Sequence, residues 1–417
     1  MSFYDRTILD NGLTILSETM DTVRSVAIGV WFAVGSRDEA PSEAGMSHFM
    51  EHMMFKGTPT RSAADISEEF DRLGAELNAF TSKEYTCYYS RVVDEHVPTA
   101  IEILSDMIAD SLLAQDAIES EREVVIEEIA RMEDTPDDRV HEMFARTLWP
   151  DHPIGLPVLG SRETVASFGH EDAVAFRHRH YLTGNCIAVA AGHVDHGDFV
   201  KAVRERLRLT EGPRSVRERT EAVTERRAVS LPKETEQAHV CYGVSGLNAH
   251  AEDRFVLSVL DSILGGGMSS RLFQEIREKR GLAYAVYSYH SLYQDTGQFT
   301  IYAGTRPGNM EQVVGLIKAE VAKVVTDGVT PEELHRAKES IKGHLVLGLE
   351  NTRNRMTRLG KAETIQGEIL TIDELVGRVD SVTREDVLRV ARELFSDGRV
   401  LSVIGPFEGE RVEALVG

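Results

Sequence analysis

Cysteine and tryptophan are scarce in this chain of 417 residues, which contains three cysteines and two tryptophans. Cys87, Cys186 and Cys241 lie far apart and form no CxxC pair. The sequence therefore predicts neither a disulfide framework nor a thiolate metal site, and this cysteine usage is typical of a reducing compartment.

Long apolar runs are also missing, since no stretch approaches the roughly 20 residues that a membrane-spanning helix needs. The N-terminal segment MSFYDRTILDNGLTIL has no basic region followed by an apolar run. It predicts instead two strands joined by an Asn-Gly turn. We therefore predict a chain without a membrane span or targeting segment, located in a bacterial-type cytoplasm rather than in a mitochondrial matrix.

The chain has fewer basic than acidic residues: it contains 46 lysines and arginines and 68 aspartates and glutamates, which gives a formal net charge of −22. This balance argues against nucleic acid and anionic membrane surfaces as partners, since both would repel the protein. An acidic cavity that attracts basic peptides would fit the charge. A well-solvated acidic surface explains it too.

The two halves of the chain repeat one pattern of strands and helices. The apolar strands predicted at Ser25–Gly35 and Ala238–Gly246 are each followed by a helix, and strand-like segments near Asn185 and Gly398 close each half. Alternation of apolar and polar residues favours sheets with one covered face, so the predicted class is α+β, with two similar domains that each contain a mainly antiparallel sheet covered by helices. The predicted division is residues 1–210, a charged linker at 211–229, and residues 230–417.

The stretch SHFMEHMMFKG carries two histidines, His48 and His52, four residues apart, with Glu51 beside the second. We predict a helix that is capped by Ser42 and ends at Gly57. Residues four apart share one face of a helix, so both imidazoles can reach one metal ion, and Glu51 can hold a water beside it. The alternative is a pair of satisfied core histidines on a methionine-rich helix.

A catalytic zinc needs a third protein ligand, and the predicted helix Asp116–Asp134 is rich in glutamate. Its apolar residues, including Val124, define a buried sector that contains Glu121 and Glu128 but not the other glutamates. Burial of an unpaired carboxylate is costly, so one of these two is expected to bind the metal and the other to support it. The alternative for either is a buried salt bridge to an arginine.

Five motifs together carry a resemblance to a known family: HFMEHMMFKGT, LNAFTSKEYTCYY, EREVVIEE, HPIGLPVLG and REKRGLAYAV. In this order they resemble the pitrilysin-like zinc peptidases, in the branch of the mitochondrial processing peptidase beta subunit and its bacterial single-chain relatives. The resemblance implies one Zn²⁺ per chain, bound by His48, His52 and Glu128, with Glu121 as the supporting glutamate. It also implies that Glu51 is the general base of an inverted His-x-x-Glu-His zinc motif.

The same resemblance assigns functions to two residues of the second half. In REKRGLAY, Arg277 and Tyr284 match positions that contribute to substrate binding and to stabilisation of the oxyanion in the family. A surface arginine and a core tyrosine are the structural alternative.

The resemblance also points to substrate-binding residues in the first half. LNAFTS would be an edge strand to which a peptide adds as a further strand, so Asn78, Ala79 and Phe80 are expected to line the cleft. Asp138 and Glu142 match acidic residues that select arginine near the cleavage point. A solvated acidic face explains these two carboxylates equally well.

The predicted function is that of a zinc endopeptidase acting on peptides or unfolded, presequence-like segments, including basic ones. The resemblance implies a homodimer enclosing a chamber, in which Arg277 and Tyr284 could act in cis or in trans. The alternatives are a non-catalytic peptide-binding or scaffold subunit of the same family and an enzyme that needs a partner chain.

Overall fold

The computed structural model describes residues 3–217, 225–396 and 398–416. Within them the chain forms strands and helices that belong to two compact units. The first unit comprises Met1–Arg131, Leu156–Glu218 and Gly348–Ile369, and the second comprises Met132–Gly155, Arg219–Leu347 and Leu370–Gly417.

The strands, in chain order, are β1 Asp5–Ile8, β2 Thr14–Thr19, β3 Ser25–Phe32, β4 Glu76–Thr81, β5 Thr86–Val93, β6 Cys186–Gly192, β7 Arg227–Pro232, β8 Ala238–Ser245, β9 Ala283–Leu292, β10 Gly297–Thr305 and β11 Val400–Gly405. The α-helices are α1 Met46–Met53, α2 Ala63–Arg72, α3 Val97–Ala109, α4 Gln115–Asp134, α5 Pro136–Leu148, α6 Arg162–Ser167, α7 His170–His180, α8 His196–Arg206, α9 Arg254–Leu264, α10 Met310–Asp327, α11 Pro331–Gly348, α12 Thr352–Lys361, α13 Ile372–Ser381, α14 Arg384–Leu394 and α15 Gly409–Glu413.

The two sheets share one topology. Their strand orders are β1-β2-β6-β3-β5-β4 and β7-β11-β8-β10-β9, so the second sheet matches the first strand for strand once β1 is set aside. Each sheet has one parallel pair at the same place, β2 with β6 and β7 with β11, while the other pairs are antiparallel. The predicted α+β class with two similar, mainly antiparallel domains is confirmed.

Helices cover both faces of each sheet, whereas the sequence predicts one covered face. In the first unit, α1 and α3 share a core with one face, and α12 packs on the other face, where Met356 accepts a hydrogen bond from the Trp31 indole (Nε1 to Sδ, 3.4 Å). In the second unit, α9 and α10 cover one face and α5 the other. Central strands are consequently buried along their whole length, as in β6.

The two units are not consecutive halves of the chain. Residues 132–155, which include α5, belong to the second unit, and residues 348–369, which include α12, belong to the first. This arrangement differs from domains at 1–210 and 230–417, because the helix that covers the second face of each sheet comes from the other half of the sequence.

The predicted linker at 211–229 overlaps the start of the second sheet. Residues 218–224 lie outside the described residues. Strand β7 already begins at Arg227, where it pairs in parallel with β11. Among the described residues, no helix has both the length and the apolar character to span a membrane.

Candidate metal centre

Helix α1 begins at Met46 rather than near Ser42. Residues Pro41–Glu43 form a separate 3₁₀ turn, and Gly45 has a left-handed backbone (φ +97°) that a residue with a side chain rarely adopts. The carboxylate of Glu39 accepts hydrogen bonds from the backbone N–H groups of Gly45 (2.7 Å) and Ser47 (2.6 Å). A residue outside the helix therefore satisfies its first donors, a contact that local spacing does not reveal.

The apolar face of α1 sets the orientation of its histidines. Met46, Phe49, Met50 and Met53 are fully buried in the core of the first unit. The two histidines share the remaining face, with their ring centroids 4.5 Å apart. Packing of the methionines and Phe49 thus leaves both imidazoles side by side at the edge of the core.

The carboxylate of Glu128, on α4, approaches both imidazoles. Its Oε2 atom lies 3.7 Å from Nε2 of His48 and 3.7 Å from Nε2 of His52. Zinc–ligand bonds of about 2.0–2.1 Å in a tetrahedron separate neighbouring ligand atoms by roughly 3.4 Å. These three residues therefore fit a Zn²⁺ ion, and they are the only group of three or more potential ligands that comes together among the described residues.

Glu121 supports the centre from two turns earlier on α4. Its Oε1 lies 2.8 Å from Nδ1 of His52, and its Oε2 lies 2.5 Å from Nζ of Lys56. Burial raises the pKa of this carboxyl, but the hydrogen bonds from His52 and Lys56 outweigh burial and leave the pKa below its ordinary value. An ionised Glu121 can hold the proton of His52 on Nδ1 and leave Nε2 free for a metal.

His48 and Glu51 have pKa values shifted by burial. Burial lowers the pKa of His48 to about 4, so its imidazole is neutral at pH 7, as a metal ligand must be. Burial also raises the pKa of Glu51, whose Oε2 accepts a hydrogen bond from the Thr81 hydroxyl at 2.5 Å. A carboxylate with a raised pKa is a stronger base than an exposed one.

Strand β4 ends at Thr81 and lies at the end of its sheet, where it pairs with β5. Ala79 packs against the core that contains α1. Phe80 points to the opposite face and packs edge-on against Trp31, with ring centroids 5.4 Å apart, whereas Asn78 is exposed. A peptide paired along this edge would thus meet Ala79 on the side of Glu51 and Phe80 on the other side.

Arg277 and Tyr284 contact each other in the second unit. Arg277 lies in a π-helical turn, Phe273–Glu278, and its guanidinium carbon is 4.6 Å from the ring centroid of Tyr284. Its Nη1 also donates to the Tyr284 carbonyl at 2.8 Å. Tyr284 lies on β9, the counterpart of β4, and is 79% exposed, which excludes the alternative of a core tyrosine.

Asp138 and Glu142 lie on α5, in the second unit. Both carboxylates are near His141, whose Nδ1 is 2.8 Å from the Tyr289 hydroxyl. Burial lowers the pKa of His141, and the neighbouring carboxylates only partly offset that effect. Asp138 and Glu142 thus lie four residues apart on α5, on either side of His141 in the sequence.

Two contacts of the centre were not anticipated from the sequence. Lys56 lies beyond the end of α1 at Met53, rather than within a helix that continues to Gly57, and from there it reaches Glu121. Thr81 was not singled out, since the pairing of β4 beside α1 is a long-range contact.

A helix with an inverted zinc motif, completed by a glutamate from a second helix, defines the class of inverted zinc metallopeptidase sites. Residues 14–162, which contain all three candidate ligands, match the family described as Insulinase (Peptidase family M16), and residues 167–341 match the Peptidase M16 inactive domain. The chain belongs to peptidase family M16.

Curated relatives agree with this assignment. An uncharacterized zinc protease of Bacillus subtilis is 44% identical over 95% of this chain and 97% of the relative. Another from Streptomyces coelicolor is 44% identical over 98% of this chain and 91% of the relative.

A solved structure with the same fold is a protease from Helicobacter pylori, with a TM-score of 0.91 and 23% identity over 97% of this chain and 99% of that chain. A peptidase M16 inactive domain from Pseudomonas fluorescens has a TM-score of 0.91 and 20% identity over the same shares of the two chains. At these identities the likeness concerns the fold alone.

Proposed function

We propose that this protein is a zinc-dependent endopeptidase that hydrolyses peptides or unfolded, presequence-like segments. The observation that carries the proposal is the approach of Glu128 to both histidines at 3.7 Å, with the partly buried carboxylate of Glu51 beside them. His48, His52 and Glu128 would hold one Zn²⁺ per chain. Bound Zn²⁺ supplies a Lewis acid that polarises a peptide carbonyl and acidifies water.

The chain's own residues supply the proton transfers. Glu51 takes a proton from the attacking water and then delivers a proton to the leaving amine of the cleaved peptide. Thr81 fixes the Oε2 atom of Glu51 through its hydroxyl, at 2.5 Å. Glu121 keeps His52 in the tautomer with the proton on Nδ1.

Peptide binding is proposed for the edge of β4 and for two exposed side chains. Main-chain pairing with Asn78, Ala79 and Phe80 would hold an extended peptide with little sequence preference. Arg277 and Tyr284 would contact the peptide and the developing oxyanion.

The charge of the protein bears on the substrate and assembly that we propose. The carboxylates of Asp138 and Glu142, in a chain of net charge −22, favour basic peptides. We propose that two copies form a homodimer enclosing a chamber, and that the protein acts in the cytoplasm.

A non-catalytic, peptide-binding subunit is the second candidate. The match of residues 167–341 to an inactive domain is compatible with it, although that stretch contains none of the candidate ligands. The complete set of ligands and Glu51 within residues 14–162 favours the enzyme.

The test combines metal analysis with cleavage of a basic, internally quenched peptide by the wild type and by Glu51→Gln. We expect Glu51→Gln to retain zinc while the rate falls by about 10²–10⁴, the usual contribution of a general base. Glu68→Gln, at an exposed position, is the control and should match the wild type. Full activity of Glu51→Gln would contradict the mechanism, and zinc binding by a wild type without hydrolysis would favour the non-catalytic subunit.

A further inference from the structure

The segment that leads out of the first half of the chain, residues 211–217, is bonded to the first unit. Gly212 accepts a hydrogen bond from the backbone N–H of Gly184 at 3.0 Å. The backbone N–H of Ser215 donates to Oδ1 of Asn185 at 2.6 Å, and Nδ2 of Asn185 donates to the Ser215 hydroxyl at 2.9 Å. These residues are therefore part of the first unit rather than a free connection.

The last described residue of this segment, Arg217, joins two loops. Its Nε and Nη2 donate to the two carboxylate oxygens of Asp38, at 2.6 Å and 2.7 Å. Nη2 also approaches the carbonyl oxygens of Ala33 (3.2 Å) and Glu84 (2.5 Å). The Arg217 side chain is only 11% exposed, so this planar, two-pronged ion pair is shielded from water.

One of these loops leads directly to the ligand helix. Asp38 Oδ2 also accepts the backbone N–H of Gly35 at 2.9 Å, which closes the turn before Glu39. The Glu39 carboxylate then holds the N–H groups of Gly45 and Ser47, at the start of α1 and next to His48. A shift of the Asp38–Glu39 loop would therefore move the first turn of α1.

The other loop leads to the proposed general base. Glu84 belongs to the hairpin between β4 and β5, and its carboxylate forms a buried ion pair with Arg37 at 2.5 Å. In the same hairpin the Ser82 N–H donates to the Tyr85 carbonyl at 2.8 Å. The residue just before Ser82 is Thr81, whose hydroxyl holds Glu51.

We propose that Arg217 is a positioning residue for the zinc centre, acting through Asp38 and Glu39 on His48 and through the Glu84 hairpin on Glu51. It contacts neither the candidate ligands nor Glu51. The inference rests on the proposed function for its catalytic consequence, but its effect on metal binding can be measured without any hydrolysis.

The experiment compares the full-length wild type with Arg217→Ala, Arg217→Lys and Asp38→Asn. The matched control is Arg214→Ala, because Arg214 lies in the same segment but donates to the Thr364 carbonyl at 2.9 Å, away from both loops. For each protein we would measure the melting temperature, the affinity for Zn²⁺ alone by chelator competition, and kcat and KM for a quenched peptide.

We expect Arg217→Ala to weaken Zn²⁺ affinity by about tenfold and to lower kcat by a similar factor, with KM nearly unchanged, as is usual when the support of a metal ligand is lost. Arg217→Lys should fall between the wild type and Arg217→Ala, since an ammonium group cannot form the two-pronged pair. Asp38→Asn, which keeps the shape of the side chain, should resemble Arg217→Ala.

Two results would overturn the inference. One is a Zn²⁺ affinity and a kcat within twofold of the wild type for both Arg217→Ala and Asp38→Asn. The other is an equal loss in Arg214→Ala, which would show a general effect on stability. If the wild type binds zinc without hydrolysing peptide, the proposed function fails, while the Zn²⁺ affinities still decide whether Arg217 positions the centre.

Discussion

Nδ1 of His52 lies 2.8 Å from Oε1 of Glu121, a carboxylate that is only 3% exposed. Glu121 lies seven residues, or about two helical turns, before Glu128 on α4. Helix α4 thus provides both Glu121, the hydrogen-bond partner of His52 Nδ1, and Glu128, the candidate ligand beside His52 Nε2. The same arrangement makes α4 as important to the centre as the helix that carries the histidines.

This relationship predicts that Glu121→Gln weakens zinc binding. The glutamine can still accept a hydrogen bond from His52, but it lacks the charge that raises the basicity of the imidazole, and it leaves Lys56 without its ion pair. Such changes typically cost about 10–100-fold in metal affinity. Competition with a chromogenic chelator measures the loss, and Glu119→Gln, at an exposed position on α4, is the matched control. An unchanged affinity would show that Glu121 does not orient His52.

The hydroxyl of Thr81 is predicted to matter for the rate rather than for metal binding. Thr81→Val removes the donor to Glu51 Oε2 while nearly preserving the shape of the side chain. Hydrogen bonds to charged groups contribute about 1.5–3 kcal/mol, so kcat should fall at least about tenfold. Steady-state kinetics with zinc analysis is the measurement, and Thr81→Ser should remain near the wild type. A normal kcat for Thr81→Val would mean that the contact has no catalytic consequence.

Tyr284 is predicted to act on substrate without contributing to stability. Because its side chain is 79% exposed, Tyr284→Phe should leave the melting temperature unchanged. Loss of a donor to the oxyanion should lower kcat/KM by at least about tenfold. Tyr287→Phe, at a less exposed position on the same strand, is the control. Equal kcat/KM for Tyr284→Phe and the wild type would argue against a role of Tyr284 in the reaction.

Arg61, two residues before α2, is predicted to stabilise the protein in a pH-dependent way. Its guanidinium contacts the carboxylates of Glu69 (3.1 Å), Glu102 (2.9 Å) and Asp106 (2.9 Å). Hydrogen bonds from Arg61 lower the pKa of Glu102. Burial raises the pKa of Asp106, but hydrogen bonds from Arg61, Thr58 and Thr60 together outweigh burial and leave this pKa lowered too. Carboxyls with a lowered pKa in the folded state stabilise it above their unfolded pKa of about 4, and this stabilisation is lost as the pH falls through the lower folded value.

We therefore expect Arg61→Ala to lower the free energy of unfolding by about 1–3 kcal/mol at pH 7, between the effects of exposed and buried ion pairs. The difference from the wild type should shrink as the pH falls below about 4. Urea denaturation across this pH range is the measurement. Arg72→Ala, which breaks an exposed pair with Glu68, should cost less than about 0.5 kcal/mol. A difference that does not depend on pH would contradict the ion-pair explanation.

Two helical glycines, Gly360 on α12 and Gly343 on α11, are predicted to respond in opposite ways to substitution by alanine. A Cβ at Gly360 would lie 2.3 Å from Cε2 of the buried Trp31, so Gly360→Ala should destabilise the protein by about 1–3 kcal/mol. A Cβ at Gly343, inside α11, meets no described atom within 4 Å, so Gly343→Ala should stabilise it by about 0.5–1 kcal/mol. Thermal unfolding distinguishes the two, and a neutral Gly360→Ala would show that the contact can relax.

Much of the centre could be predicted from local spacing. The four-residue interval between His48 and His52 places them on one face of a helix, and the phase of α4 correctly predicts a buried Glu121, which is 3% exposed. Glu128 was placed in the same buried sector, but its side chain is 41% exposed. The phase was less accurate for Val124, which was predicted to be buried but is 43% exposed. Helical periodicity indicates a face, but the neighbours that cover that face come from elsewhere in the chain.

The sequence by itself determined the α+β class, the internal duplication and the helix faces of the candidate ligands, because these depend on the 3.6- and 2-residue periods of local structure. Only the tertiary structure decided that α1 starts at Met46, that residues 132–155 join the second unit, and that Arg217 pairs with Asp38. Each of these depends on contacts between residues distant in sequence. Such contacts follow from how the elements pack, and the helix and strand periods of the sequence do not predict them.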